Sequence, residues 1–201
     1  MAHHRATRAE INLKAFKHNL QNLKTVLGSK TDIMAVIKAD AYGHGALPCA
    51  KAAIESGVGY LGAGVIEEGI ELRKNGIKGP VLILGGIFPD EVTDLVHHNL
   101  STILHTSHLA EALSKEGKKQ GKTVNIHIKV DTGMNRLGVL PENLLALTEK
   151  ISSLPNLKIE ALSTHFSSAD DEDLTITNQQ IELFKKALNE LKNTGIIPPL
   201  T

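Results

Sequence analysis

The chain has 201 residues, with 22 basic and 22 acidic side chains, a formal net charge of zero and one cysteine, Cys49. That length buries a real core, and 41% hydrophobic with 22% charged residues is a globular composition rather than a disordered one. Charge neutrality and 3% aromatic residues argue against a nucleic-acid or anionic-membrane partner. A single cysteine excludes an internal disulfide framework and fits a reducing compartment. The opening residues 1–8 are basic with no apolar stretch behind them, so no secretory signal is expected. His3 and His4 are readable as native residues or as a cloning remnant.

In chain order, Leu13, Phe16, Leu20, Leu23 and Leu27 recur at helical spacing, with Asn12 as a plausible N-cap and Gly28 as a stop. A strand is expected over residues 33–37, then a loop rich in glycine, then a helix over 48–56. Strand and helix then alternate: strand 58–63, helix 66–74, strand 81–84, helix 89–97 with Pro89 in its first turn, strand 101–104, helix 107–118. Strand 124–130, helix 141–153 and strand 157–163 follow. A last helix carries Ile181, Phe184, Leu188 and Leu191 on one face. The segment Ile196-Ile197-Pro198-Pro199-Leu200-Thr201 reads as the start of a further strand. No apolar run approaches the length of a membrane span.

About six strand–helix units predict an α/β fold with a parallel sheet covered by helices. Two closures are open: a doubly wound sheet, or a (β/α)8 barrel, which typically takes about 250 residues and eight strands. Strand 124–130 favours the barrel. Val124, Ile126, Ile128 and Val130 form one apolar face, whereas Asn125, His127, Lys129 and Asp131 form a polar one. A central strand of a doubly wound sheet is apolar on both faces. The expected fold is therefore a barrel, incomplete over residues 1–201. Its first and last strands would then present unpaired edges.

The carboxyl ends of strands carry the chemistry in such folds. Lys38 ends the first strand and is followed by a loop containing Tyr42 and His44. Desolvation of an amine at such a place favours its neutral form, which Schiff-base chemistry requires. Position alone is also compatible with a lysine snorkelling into solvent.

The string Ile37-Lys38-Ala39-Asp40-Ala41-Tyr42-Gly43-His44-Gly45 resembles the pyridoxal phosphate (PLP) lysine signature of alanine racemases. Lys129-Val130-Asp131-Thr132-Gly133-Met134-Asn135-Arg136-Leu137-Gly138 is similar to a second motif of that family, and Ser163-Thr164-His165-Phe166-Ser167-Ser168-Ala169-Asp170 to its histidine strand end. The resemblance runs along essentially the whole chain. It implies a PLP-binding (β/α)8 barrel, here its N-terminal portion over 1–201, with the family's C-terminal β domain absent. It further implies a cytoplasmic, homodimeric isomerase that interconverts L- and D-alanine and supplies D-alanine for peptidoglycan of the cell wall.

On that resemblance Lys38 is the lysine bonded to the PLP aldehyde and the base for the D-enantiomer's α-proton. Tyr42 matches the tyrosine on the cofactor phosphate. Arg136 matches the arginine that contacts both the cofactor's phenolic oxygen and the substrate carboxylate. His165 matches a histidine beneath the pyridine ring. Lys129 matches a lysine that is carbamylated in some members. No metal site is implied. Read without the resemblance, Arg136 can instead pair with an acid such as Asp131, Lys129 with an acid elsewhere in the barrel, and His165 can be a satisfied structural histidine. Asp40, His44 and Asp131 are readable as residues that only shape loops.

The family's opposite-face base is a tyrosine from the partner's C-terminal domain, and no residue here matches it. This chain alone is therefore expected to be inactive or nearly so. Two alternatives stay open: a racemase of another small amino acid such as serine, and a non-catalytic PLP-binding barrel protein.

Overall fold

The computed structural model describes residues 7–201, so His3 and His4 lie outside the described residues. The chain divides into two compact units, one up to Val81 and one from Leu82 to Thr201.

In the first unit, helix α1 (Leu13–Leu27) begins where Asn12 Oδ1 accepts the Ala15 N–H at 3.0 Å, and ends at Gly28. Leu20 is its one fully buried residue, whereas Leu23 and Leu27 of the expected apolar face stay exposed. Strand β1 (Met34–Val36) leads into a short helical segment, α2 (Lys38–Gly43). Helix α3 (Ala46–Glu55) packs on α1 and presents the small buried residues Cys49, Ala50, Ala52 and Ala53. Strand β2 (Tyr60–Ala63) lies parallel to β1, pairing Met34 with Tyr60 and Val36 with Gly62. The ladder continues through the Ile37 N–H, which donates to the Gly62 carbonyl at 2.8 Å. Helix α4 (Ile66–Lys74) has Glu67 and Glu68 in its first turn and Arg73 and Lys74 in its last, as the helix dipole favours.

In the second unit, strands β3 (Val81–Ile83), β4 (Ser101–Leu104), β5 (Val124–Lys129) and β6 (Leu157–Ser163) pair in chain order, each parallel to the next. The helix expected over 89–97 is split. Pro89 opens a 3₁₀ turn, Pro89–Glu91, and α5 (Val92–His97) follows. Helices α6 (Ser107–Gln120), α7 (Pro141–Ser152) and α8 (Thr175–Asn193) complete the unit. Its core is built from fully buried aliphatic residues such as Leu104, Leu113, Ile126, Ile128, Leu144 and Leu162.

Strand β5 is buried on both faces. Its polar face is accommodated by a bulge: Ile126 pairs with Ile159 and His127 with Ala161, which leaves Glu160 without a ladder partner. The freed Glu160 carboxylate accepts from Asn125 Nδ2 at 3.2 Å and lies 3.4 Å from His127 Nε2. The expected further strand has begun: the Leu162 N–H donates to the Leu200 carbonyl, and the Leu200 N–H to the Glu160 carbonyl, both at 3.1 Å.

The buried face of α8 is rotated from the expected one. Thr177, Gln180, Ala187 and Leu191 are buried, while Ile181, Phe184 and Leu188 are half-buried. The alternation of parallel strands with helices is the α/β architecture read from the sequence.

Candidate functional site

Lys38 lies two residues past the end of β1, after Ile37, and is half-buried. The segment after it is not an ordinary loop. Ala39, Asp40, Ala41 and Tyr42 all have φ between 50° and 54° and ψ between 39° and 51°, one turn of left-handed helix without a glycine. Such backbone costs about 1–2 kcal/mol per residue, so the surroundings must hold it. Glu68 does so from the start of α4. Its Oε1 accepts the Ala39 N–H at 2.7 Å and its Oε2 accepts the Gly64 N–H at 2.6 Å. At the other end Asp40 Oδ1 accepts the Ala46 N–H at 2.6 Å, and His44 Nδ1 lies 2.8 Å from the Ala41 carbonyl oxygen. Asp40 and His44 therefore shape the turn, as one reading of the sequence expects.

The turn brings Tyr42 back onto Lys38, whose Nζ lies 5.9 Å from the centre of the phenol ring. A ring face at that distance attracts an ammonium. Tyr42 itself is 61% exposed, so its hydroxyl is open to a ligand. Gly64 makes the arrangement possible: a Cβ there would meet Lys38 Cβ at 3.2 Å and Glu68 Oε2 at 3.3 Å. Tyr42 also lines a cleft of about 610 Å³, which is mostly apolar and which Lys38 does not line.

In the second unit, Lys129 ends β5, only 8% exposed. Its carbonyl accepts the Val139 N–H at 2.8 Å, and the Val139 carbonyl accepts the Asp131 N–H at 2.9 Å, so the loop 131–138 returns to its own origin. Asp131 Oδ1 folds the loop by accepting the N–H groups of Gly133 at 2.9 Å and Asn135 at 3.1 Å. Partial burial pushes the Asp131 carboxyl up, but the amides of Gly133, Asn135 and Met134 and the charge of Lys129 outweigh it, and the net shift is downward. Gly138 closes the loop at φ +141°, where a Cβ would lie 2.6 Å from the Asp131 nitrogen. Arg136 projects from this loop, exposed, and among the described residues no ion pair joins it to Asp131. Asp131 shapes the loop instead.

His165 follows β6 and is exposed. Its segment is joined to the Arg136 loop by Thr132 and Thr164, whose hydroxyl oxygens are 2.8 Å apart. The second unit thus brings Lys129, the Arg136 loop and the His165 segment to the carboxyl ends of β5 and β6, and the first unit brings Lys38 to Tyr42.

Three groups escaped the sequence reading. Glu68 reads as an ordinary first-turn acid. Gln180 is a polar residue in an apolar stripe. His105 follows β4, and the pairing of Leu104 with Ile128 sets it beside Lys129. Its Nδ1 is buried without a hydrogen-bond partner, and burial, with Lys129's charge, pushes the imidazole below its ordinary value. The carboxyl-end rule was the one signal able to find it.

The residues present fit pyridoxal phosphate: an amine just past a strand end, and an exposed tyrosine held next to it. No group of His, Cys, Asp and Glu suited to a metal is found among the described residues. No described helix is long and apolar enough to cross a membrane.

Comparison with known proteins finds relatives along nearly the whole chain. The alanine racemase N-terminal domain family model matches residues 11–201. The alanine racemase of Halothermothrix orenii is 40% identical over 196 residues, covering 98% of this chain and 52% of that protein. That of Carboxydothermus hydrogenoformans is 43% identical, covering 94% of this chain and 50% of that protein. Among solved structures, alanine racemase of Clostridium difficile 630 in complex with cycloserine superposes with a TM-score of 0.95 at 33% identity, covering 99% of this chain and 55% of that one. The chain therefore spans about half the length of the relatives it matches, and it belongs to the alanine racemase family, whose N-terminal domain it matches from residue 11 to residue 201.

Proposed function

We propose that the chain is the cofactor-binding barrel portion of a PLP-dependent alanine racemase, with residues 1–201 as its N-terminal part. The observation that carries this reading is Lys38, half-buried just past the end of β1, with its Nζ 5.9 Å from the ring of Tyr42. When bound, pyridoxal phosphate supplies an electron sink that makes the α-proton of an amino acid removable. Lys38 Nζ would hold the cofactor through its aldehyde and, once the substrate amine had displaced it, would be free as the base for the α-proton on the D-enantiomer's face. The Tyr42 hydroxyl would donate to the cofactor phosphate. The Arg136 guanidinium binds the substrate carboxylate with its planar fork, for which it is suited. His165 would lie against the cofactor ring and help hold it. Lys129 would present an anion able to orient Arg136 only when carbamylated; its free ammonium is the form that lowers the pKa of His105 and Asp131.

Racemisation needs a proton removed on one face and returned on the other, and the simplest mechanism uses two bases. This chain provides the Lys38 base and nothing matched to the second. On this reading it turns alanine over little or not at all by itself. The parent acts as a cytoplasmic homodimer on alanine and feeds D-alanine to peptidoglycan synthesis. The similarity to alanine racemases across nearly the whole chain supports the substrate.

The test is to add PLP, reduce with borohydride and map the label. Label on Lys38 supports the reading. Racemisation of alanine, rather than serine, by the parent protein then sets the substrate.

A further inference from the structure

The geometry points to Gln180 as a positioning residue that sets the Arg136 loop and the His165 segment relative to each other. It rests on the reading of those two segments as part of the cofactor and substrate shell.

Gln180 lies on α8, outside the strands, and is 1% exposed. Its Oε1 accepts from the Ser167 N–H at 2.9 Å and the Ser167 hydroxyl at 3.1 Å. Its Nε2 donates to Thr132 Oγ1 at 3.2 Å and to the His165 carbonyl at 3.0 Å. A primary amide has two acceptor sites and two donors, and here all four are used. Two of the partners belong to backbone on either side of Phe166, and one to the residue that opens the Arg136 loop. One turn earlier on the same helix, Thr177 Oγ1 donates to the Ser168 carbonyl at 3.1 Å. Helix α8 therefore holds the segment after His165 by two side chains three residues apart, and only Gln180 also reaches the Arg136 loop.

No other residue type serves. A carboxylate cannot donate to the His165 carbonyl, and an ammonium cannot accept from the Ser167 N–H. An apolar residue of the same length leaves the Ser167 N–H and the His165 carbonyl without this partner. Packing alone would be served as well by methionine, so the chemistry specific to glutamine is the joining of the two segments.

The test uses the whole chain with Gln180→Met and Gln180→Glu, read by amide hydrogen exchange. In Q180M the amides of Ser167 and Gly133 are expected to exchange at least about tenfold faster, while those of Ile126 and Ile128 in β5 keep their protection. In Q180E at about pH 8 the carboxylate still accepts from Ser167 but cannot donate to Thr132 or to the His165 carbonyl, so the Gly133 amide is expected to exchange faster while that of Ser167 keeps its protection. Unchanged Ser167 exchange in Q180M overturns the inference. So does equal loosening of β5 and the loops, which would make Gln180 a core residue of the fold, or a Q180E protein whose Gly133 exchange is unchanged. Borohydride trapping of PLP on the wild-type chain is measured alongside. Its failure overturns the functional reading and leaves the exchange result to decide the role of Gln180.

Discussion

The carboxylate of Glu68 accepts the Ala39 N–H at 2.7 Å, and so fixes the residue next to Lys38 from a helix 29 positions further along the chain. With its other oxygen on Gly64 it ties the left-handed turn to the end of β2. Glu68→Ala leaves two amides without that acceptor. Hydrogen bonds to a charged group contribute about 1.5–3 kcal/mol each, and this site is half-buried, so a loss of about 2–3 kcal/mol is expected. Chemical denaturation measures it, and PLP trapping on Lys38 should fall with it.

Gly64→Ala acts on the same contact from the other side. The added methyl meets Lys38 Cβ at 3.2 Å and Glu68 Oε2 at 3.3 Å. Overpacking of this kind costs about 1–3 kcal/mol. The carboxylate and the lysine stem both have to shift, so labelling of Lys38 should drop more than stability does. Gly138→Ala is more severe, because its methyl would lie 2.6 Å from the backbone nitrogen of Asp131 at φ +141°. About 3 kcal/mol or more is expected from denaturant unfolding of this variant.

Tyr42→Phe separates binding from folding. The ring stays, and with it the contact to the Lys38 amine. Only the exposed hydroxyl is lost, so stability should be unchanged. A lost hydrogen bond to a phosphate weakens PLP binding about tenfold. Equal affinity in the variant would remove Tyr42 from the phosphate site.

Stability of the second unit should fall on mild acidification. Burial pushes the His127 imidazole below its ordinary 6.5, with Glu160 opposing, and burial and Lys129 push His105 the same way. Both bind a proton less readily in the folded chain than in the unfolded one. Below about pH 6.5 the unfolded chain therefore gains protons first, and stability is lost until the folded imidazoles titrate. Above that pH it is flat. Asp131 has the opposite logic: its lowered carboxyl stabilises above 3.8, and that contribution disappears only at lower pH. Denaturant midpoints against pH should show the first slope, and His127→Gln should flatten it.

The regular elements were legible because periodicity and caps agree. Asn12, Gly28 and the spacing from Leu13 to Leu27 define α1, and the β5 alternation marked a strand with a polar face. The left-handed turn was not legible, since Ala39, Asp40, Ala41 and Tyr42 have no preference for positive φ; tertiary anchors, not propensity, hold them there. Glu160 was invisible because only the bulge turns it toward His127. The face of α8 was misread by half a stripe, because a pattern that counts apolar residues passes over Thr177 and Gln180. Lys38 was legible from its place after an apolar strand as well as from motif resemblance, whereas Tyr42, Lys129, Arg136 and His165 came from resemblance.

The account stands on the Lys38 amine as the covalent anchor of the cofactor. Adding PLP to the wild-type chain and to Lys38→Ala, reducing with borohydride and sequencing the labelled peptide tests it most directly. The account predicts one label, on Lys38, and none in the variant. Equal incorporation into the variant, or a label on another lysine, would contradict it.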